Sequence, residues 1–124
     1  MMKKLNSYTK FVNENQNPPL QIGKFAKMID FTYIREDAKK ENLLEITDLV
    51  QFNKFYGLVV NPEFTDYVAY TLDGSDVKVV TTLDFPDGDS SDVDKLSMAI
   101  EAISDGTDEI DMVMYHKGIK EAHK

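Results

Sequence analysis

Short runs of β-branched and aromatic residues alternate along this chain with longer segments in which apolar residues recur every three or four positions. Near-continuous apolar runs are typical of strands covered on both faces, and the longer period is typical of amphipathic helices. Together these patterns predict four strands, at residues 28–34, 58–60, 77–85 and 109–114. They also predict three intervening helices, at residues 38–54, at residues 62–72 and between Ser91 and Asp105.

The order of these elements indicates an α/β fold. Strands that alternate with helices form a parallel sheet built from right-handed βαβ units. Rossmann-like folds and (β/α)₈ barrels both contain such units. Neither a G-x-G-x-x-G sequence nor a Walker loop follows any of the four strands, so the nucleotide-binding version lacks its characteristic sequence.

Local signals support several of these boundaries. Asn61 and Pro62 suit the N-cap and the first position of a helix, and Gly74 is typical of a helix end. Ser91 and Asp94 resemble a capping box in which aspartate replaces glutamate. The helix that begins there has the most regular apolar stripe in the chain, formed by Val93, Leu96, Ile100 and Ile103.

The segment before the first strand has a different character. Residues 1–19 are polar and end in Asn-Pro-Pro, and we predict a polar N-terminal arm there. A short helix is predicted at residues 20–27. The remainder of the chain, residues 20–124, is long enough for one domain with a modest core.

Composition argues against several classes of function. The chain has 124 residues, no cysteine, and 22 acidic against 14 basic residues, which gives a formal net charge of −8. Disulfides and thiolate metal sites are therefore impossible, and the acidic balance makes nucleic acid an unfavourable partner. Only one arginine, Arg35, is available for bidentate phosphate binding. No apolar stretch has the length of a signal peptide or a membrane span, so we expect a cytoplasmic protein without a membrane partner.

Two aspartates interrupt predicted strands. Alternation places Asp30 and Thr32 on one face of the first strand, and it places Asp111 on the face of the fourth strand opposite to Ile110 and Met112. A carboxylate on a sheet is costly to bury unless it is paired or hydrogen-bonded. Either these aspartates cap loops at strand ends, or they take part in a functional site inside a barrel.

The lysines and histidines give weaker signals. Lys78 lies at the N-terminal end of its strand, whereas α/β barrels place their chemistry at the C-terminal ends, so a structural role is predicted. Lys117 and Lys120 follow the fourth strand in a charged segment that also contains His116 and His123, where exposed side chains are the default interpretation. The acidic segment at residues 87–94 lacks the order of a calcium loop, and we interpret it as a loop followed by a helix cap. No metal site is predicted.

Four segments, taken in order, resemble the strand motifs of the deoxyribose-phosphate aldolases. The first is KMIDFTYI at residues 27–34, with its aspartate and threonine separated by one residue, and the second is GLVVNP at residues 57–62. The third is SDVKVVTTLDFPDG at residues 75–88, which includes a Phe-Pro-x-Gly turn, and the fourth is GTDEIDMV at residues 106–113. The resemblance extends from about residue 20 to residue 114 with similar spacing.

This resemblance implies a fold and a reaction. The fold is the first half of a TIM (β/α)₈ barrel, about four βα units with a short N-terminal helix. The family reversibly cleaves 2-deoxy-D-ribose 5-phosphate to D-glyceraldehyde 3-phosphate and acetaldehyde through a Schiff base on a lysine of strand six, aided by a lysine of strand seven. By resemblance, Asp111 is the catalytic aspartate that relays protons through a water, and Asp30 and Thr32 are substrate-binding residues. The implied partner is a small phosphorylated sugar, and no cofactor is implied.

The chain departs from the family in several places. Phe31, Arg35, Val59 and Asp84 replace residues that are frequent in the family, and Asp84 stands where Gly or Asn is usual. The largest difference is length, because no segment corresponds to strands five to eight or to the two lysines that they carry. We therefore expect no Schiff-base lysine in this chain and no family activity from it alone.

Two hypotheses remain open from the sequence. The chain is either part of a Schiff-base aldolase that needs its other half, or a non-catalytic half-barrel that acts as a binding or assembly module. Half a barrel exposes two strand edges and an uncovered inner face, so self-association through these edges is expected.

Overall fold

The computed structural model describes residues 23–122. The predicted polar arm at residues 1–19, the first part of the helix predicted at residues 20–27, and His123 lie outside these residues, so the division of the chain into an arm and a domain remains a prediction. The strands are β1 (Asp30–Tyr33), β2 (Gly57–Val60), β3 (Lys78–Leu83) and β4 (Glu109–Met112). The α-helices are α1 (Lys40–Asn53), α2 (Thr65–Thr71), α3 (Asp92–Ser104) and α4 (His116–Ala122), with 3₁₀ turns at Gly23–Met28 and Pro62–Phe64.

The four strands form one parallel sheet in the order β1-β2-β3-β4. Sequential parallel strands joined by helices are the topology of the first half of a (β/α)₈ barrel, as the sequence predicted. Within residues 23–122, β1 and β4 each pair with a single neighbour, so each leaves one edge open. These edges are the ones at which a complete barrel would continue.

The core lies between the sheet and the first two helices. Phe31 packs against it from β1, and Leu58, Val60 and Val79 contribute fully or nearly fully buried side chains from β2 and β3. Helices α1 and α2 cover these strands with Leu43, Val50 and Val68, and Leu72 adds to the core directly after α2. Phe31, Leu58, Val60 and Val79 therefore point towards the helices, and the positions that alternate with them point to the opposite, inner face of the sheet.

A chain of threonines supports the junction between helix and sheet. Thr65 Oγ1 and Thr81 Oγ1 lie 2.8 Å apart, and Thr81 also donates to Thr107 Oγ1 at 2.8 Å. Thr65 and Thr81 are fully buried, and hydroxyl pairs of this kind satisfy polar groups that would otherwise be costly to bury. The arrangement joins the start of α2 to β3 and to the segment that leads into β4.

Helix α3 forms where its sequence predicts, but the regular apolar stripe is not the side that it buries. Leu96, Ile100 and Ile103 are 62%, 59% and 62% exposed. The buried positions of α3 are instead Lys95 and Ala102. A helix in a βαβ unit buries the side that faces its own sheet, so the stripe is a second apolar side that nothing covers within residues 23–122.

Several boundaries differ from the sequence prediction. The helix predicted at residues 62–72 begins as a 3₁₀ turn and becomes α-helical only at Thr65. Asn61 occupies the N-cap position without a capping hydrogen bond, and its side-chain amide lies 3.4 Å from the Arg35 carbonyl oxygen instead. By contrast, the Ser91 hydroxyl does cap α3 by accepting from the Asp94 N–H at 3.1 Å. The charged segment after β4 contains the helix α4, which the sequence analysis did not predict.

Candidate active site

The inner face of the sheet collects polar side chains from three strands. Asp30 and Thr32 lie there on β1, because the intervening Phe31 packs into the helix-side core. Glu109 and Asp111 lie there on β4, and they alternate with Ile110. The remaining inner-face positions belong to β2 and β3 and are Gly57, Val59, Lys78, Val80 and Thr82. The structure thus brings the three site residues predicted from the sequence to a single surface.

Glycine at position 57 makes room for the carboxylate of Asp30. These residues are direct partners across β1 and β2. A Cβ atom at Gly57 would lie 2.7 Å from Asp30 Oδ1 and 3.1 Å from Val80 Cγ2. Any larger residue at this position would therefore have to displace Asp30 or the neighbouring strand.

The carboxyl group of Asp30 has an altered acidity. Although the side chain is exposed, neighbouring atoms remove enough water to raise its pKa above the ordinary value of 3.8. The negative charges of Glu109 and, to a smaller extent, Asp111 raise the pKa of Asp30 further. The carboxylates of the two edge strands, β1 and β4, are therefore close enough for their charges to interact.

Asp111 lies further along the sheet than Asp30. Its register partner on β3 is Thr82, whereas Asp30 is level with Gly57 and Lys78, four positions earlier on β3. Asp111 is the third residue of the four-residue β4 and so lies near its C-terminal end, where α/β barrels carry their chemistry. Its side chain is exposed, since the inner face of the half-barrel is open. Thr32, level with Glu109 through β2 and β3, lies between the two aspartates in this order.

A tyrosine–glutamate pair extends this surface, and the sequence analysis missed it. The Tyr56 hydroxyl donates a hydrogen bond to Glu109 Oε1. This bond is the main cause of a raised pKa for Tyr56, followed by loss of water and then by the charges of Glu109 and Asp30. The residues are 53 positions apart in the chain, so only the parallel register of β2, β3 and β4 brings them together.

The loop after β3 contains a second cluster that the sequence analysis missed. Asp84 adopts a positive φ of 58°, a conformation in which Gly and Asn are favoured. Its carboxylate accepts hydrogen bonds from the Ser90 N–H at 3.0 Å and the Ser90 hydroxyl at 2.6 Å. The Nζ atom of Lys95 lies 3.5 Å from Asp84 Oδ2. The hydrogen bonds from Ser90 are the main reason that the pKa of Asp84 is lowered, and the Lys95 charge adds to this effect.

One signal in the sequence could have pointed to this cluster. Asp84 replaces a usual Gly or Asn of the resembling family, which indicates a left-handed backbone position. Nothing comparable marked Lys95, since a lysine on an amphipathic helix is ordinarily solvent-exposed.

The other basic residues singled out in the sequence are exposed or form local ion pairs. Lys78 is exposed and begins β3, as predicted. Arg35 pairs with Asp37 through two hydrogen bonds of 2.8 and 3.0 Å. Lys117 is exposed and lies 3.9 Å from Asp89 in the acidic loop. His116 is the exposed first residue of α4.

Neither a metal site nor a membrane-spanning helix is present within residues 23–122. No cluster of three or more histidine, aspartate or glutamate side chains in this range is arranged to hold a metal ion. No helix of this range is long and apolar enough to span a bilayer.

The chain is similar in sequence to deoxyribose-phosphate aldolases over about three quarters of its length. A deoxyribose-phosphate aldolase from Streptococcus pneumoniae is 37% identical over 91 residues, and one from Mycoplasmoides pirum is 38% identical over 98 residues. These matches cover 73% and 78% of this chain but 41% and 44% of the relatives. The chain therefore matches less than half the length of these curated relatives. No protein-family model matches it.

Solved structures agree on the fold. A candidate deoxyribose-phosphate aldolase from Coccidioides immitis superposes with a TM-score of 0.76 at 23% identity, over 94% of this chain and 51% of the other. The tetrameric deoxyribose phosphate aldolase from Aeropyrum pernix gives a TM-score of 0.69 at 24% identity, over 73% of this chain and 39% of the other. Each neighbour is matched over about half its length or less, as the half-barrel topology requires.

Proposed function

We propose that this chain, a relative of the deoxyribose-phosphate aldolases that corresponds to the N-terminal half of their barrel, forms one half of an aldolase active site. The proposed reaction is the reversible cleavage of 2-deoxy-D-ribose 5-phosphate to D-glyceraldehyde 3-phosphate and acetaldehyde. The Schiff-base lysine comes from the other half of the barrel. A cytoplasmic location belongs to the proposal and is supported by the absence of cysteine from the chain.

One observation carries this proposal above the others. Asp30 and Asp111, from the two edge strands, share the inner face of the sheet, and the charge of Asp111 is among those that raise the pKa of Asp30. Both side chains are exposed in the half-barrel, and a second half that completes the barrel would enclose them. Carboxylates that converge on the inside of such a barrel suit proton transfer and the binding of a polar substrate.

The chemistry assigns a different role to each residue. Asp111 accepts and returns a proton, through a water molecule, during cleavage of the carbon–carbon bond. Asp30 and Thr32 accept and donate hydrogen bonds to the hydroxyl groups of the sugar. A lysine imine needs no metal or organic cofactor, because the protonated imine itself withdraws the electrons of the breaking bond.

The charge of the inner face also constrains how the sugar would bind. Asp30, Glu109 and Asp111 stabilise a cationic iminium ion nearby but repel a phosphate dianion. The phosphate must therefore lie away from these carboxylates. We place it on the other half of the barrel, where the loops that bind phosphate in such barrels follow strands seven and eight.

The test combines this chain with a separately expressed C-terminal half of the Streptococcus pneumoniae relative and measures acetaldehyde release. Asp111→Asn is expected to lower kcat at least about a hundredfold while the mixture still assembles, because the amide keeps the volume but cannot accept the proton. Asp76→Asn, an exposed aspartate on the loop before β3, is the matched control and should retain wild-type activity. This chain alone should form no borohydride-reducible adduct with the sugar phosphate.

Two outcomes would contradict the proposal. Wild-type turnover by the Asp111→Asn mixture would remove the assigned role of Asp111. A mixture that assembles but never releases acetaldehyde would reject the aldolase function itself.

A second function is favoured by the exposed apolar side of α3. Leu96, Ile100 and Ile103 present an apolar surface, and Met112 of β4 is 50% exposed at the open edge of the sheet. Such surfaces mark sites of association between proteins. The alternative is therefore an assembly module without catalysis, in which the half-barrel associates with itself through its open edges and through the apolar side of α3.

A further inference from the structure

Lys95 is the one lysine that is buried among residues 23–122, and it has no role in the chemistry described above. It is 8% exposed, on the side of α3 that faces the sheet. A buried lysine is unusual unless its charge is paired and its N–H groups have acceptors. Its three contacts meet both conditions and come from two separate segments of the chain, the loop after β3 and the end of β4.

The first two contacts belong to the loop after β3. The Nζ atom donates to the Gly88 carbonyl oxygen at 2.8 Å and lies 3.5 Å from the Asp84 carboxylate. Both side chains of this ion pair are about one tenth exposed. Ser90 holds the same carboxylate through its N–H and hydroxyl groups, so the loop closes around the ammonium ion.

The third contact reaches the end of β4. Lys95 Nζ donates to the Val113 carbonyl oxygen at 2.8 Å, two residues beyond Asp111. Gly88 packs against the same place, since a Cβ atom there would lie 2.4 Å from the Met114 carbonyl oxygen and 2.6 Å from Val113 Cγ1. The Val113 N–H also donates to the Leu83 carbonyl oxygen at 3.0 Å, so the end of β4 is attached both to β3 and to the loop that follows it.

We propose that Lys95 is a positioning residue that fixes the C-terminal end of β4, and with it the backbone that carries Asp111, against the loop after β3. Since β4 is an edge strand within the described residues, its end is held from one side only, and a single ammonium ion with two carbonyl acceptors is a large share of that support. The effect of Lys95 on catalysis rests on the proposed function, but its attachment of the β4 end to the loop after β3 can be measured without activity.

The absence of cysteine from the chain permits a selective test. A Lys95→Cys variant is alkylated while unfolded and then refolded. A 2-aminoethyl group restores an ammonium ion at nearly the reach of lysine, and an n-propyl group gives a neutral side chain of the same length. The two products differ only in the charged end group, so each serves as the control of the other.

Two readouts follow. In the chain alone, hydrogen exchange of the amides of residues 109–118 should be at least about tenfold faster in the propyl product, with exchange across residues 43–60 unchanged. The aminoethyl product should return to the wild-type pattern. In the mixture with the complementing half, the propyl product should lose at least about tenfold in kcat with little change in KM, and the aminoethyl product should recover it.

Several results would overturn the assignment. Equal exchange at residues 109–118 in both products would show that the ammonium ion does not hold the end of β4. Faster exchange over the whole chain, or failure of the propyl product alone to fold, would mean a general structural role. Failure of both products to fold would equally reject it, because the restored charge should suffice. Faster local exchange with unchanged kcat would show that Lys95 holds the end of β4 but does not position Asp111 for catalysis. Absence of activity in the wild-type mixture would count against the proposed function, and the exchange result alone would then decide whether Lys95 holds the end of β4.

Discussion

Asp108 and Val79 are joined by two hydrogen bonds that set the register of β4 on β3. The Asp108 N–H donates to the Val79 carbonyl oxygen at 2.8 Å, and the Val79 N–H donates to Asp108 Oδ2 at 2.8 Å. The side chain of Asp108 thus takes the place of a backbone acceptor immediately before β4 begins. This anchor determines which residues of β4, including Asp111, point to the inner face, since a shift by one residue would exchange the two faces.

The first prediction concerns this anchor. Asp108→Ala should lower the free energy of unfolding by about 1–2 kcal/mol, because the Val79 N–H loses a charged acceptor in a partly buried position. Urea denaturation at one protein concentration measures the change. Asp76→Ala removes the same charge at an exposed site and should have little effect. Equal losses in the two variants would show that charge, and not the hydrogen bond to Val79, is responsible.

The second prediction concerns the space next to Asp30. Gly57→Ala should destabilise the fold by about 1 kcal/mol, because the new methyl group would displace the Asp30 carboxylate and lie 3.1 Å from Val80 Cγ2 and 3.2 Å from the Lys78 carbonyl oxygen. Asp30→Ala in the same chain should relieve part of this loss, and a double-mutant cycle by urea denaturation measures the coupling. Strictly additive effects would mean that the methyl group is accommodated elsewhere.

The third prediction uses the opposite pKa shifts of two aspartates. The pKa of Asp30 is raised above 3.8 by lost hydration and by Glu109 and Asp111, so ionised Asp30 weakens the folded state, and this penalty fades as the pH falls towards 3.8. The pKa of Asp84 is lowered, chiefly by Ser90, so ionised Asp84 stabilises the folded state above pH 3.8, and this contribution is lost as the pH falls below that value.

Amide substitutions should therefore move the melting temperature in opposite directions. At about pH 7, Asp30→Asn should raise Tm and Asp84→Asn should lower it, and each difference from wild type should shrink in acid. Asparagine tolerates the positive φ at position 84, so the second variant tests charge and hydrogen bonding without a new backbone conflict. Thermal melts across a pH series provide the measurement. Shifts of the same sign in both variants would contradict the assigned environments.

The fourth prediction concerns the exposed side of α3. The double variant Leu96→Gln, Ile100→Gln should reduce self-association and leave Tm within a few degrees of wild type, because both side chains are more than half exposed. Tyr70→Gln, at a position 84% exposed on α2, is the control and should leave association unchanged. Light scattering over a concentration series reports the mass. A wild-type chain that stays monomeric and unfolds cooperatively would argue against the assembly module.

Much of the fold could be predicted from local patterns. The β-branched run that forms β3 and the Ser91 cap of α3 depend on residues that are close in sequence, and both appear in the structure. The sequence also indicated which face of each strand carries Asp30 and Asp111, because alternation along a strand is a local property. The helix α4 was not predicted, because its seven residues show little helical periodicity of apolar side chains.

What the sequence by itself determined is therefore the type and order of the elements and the side of each strand on which its carboxylate lies. The tertiary structure decided which distant residues meet: Tyr56 with Glu109, Asp108 with Val79, and Lys95 with Asp84 and Val113. It also decided that α3 buries the side containing Lys95 and leaves its apolar stripe exposed. The physical reason is that periodicity records which residues share a face of one element, whereas burial and pairing depend on the neighbour that the register of the parallel sheet places against that face.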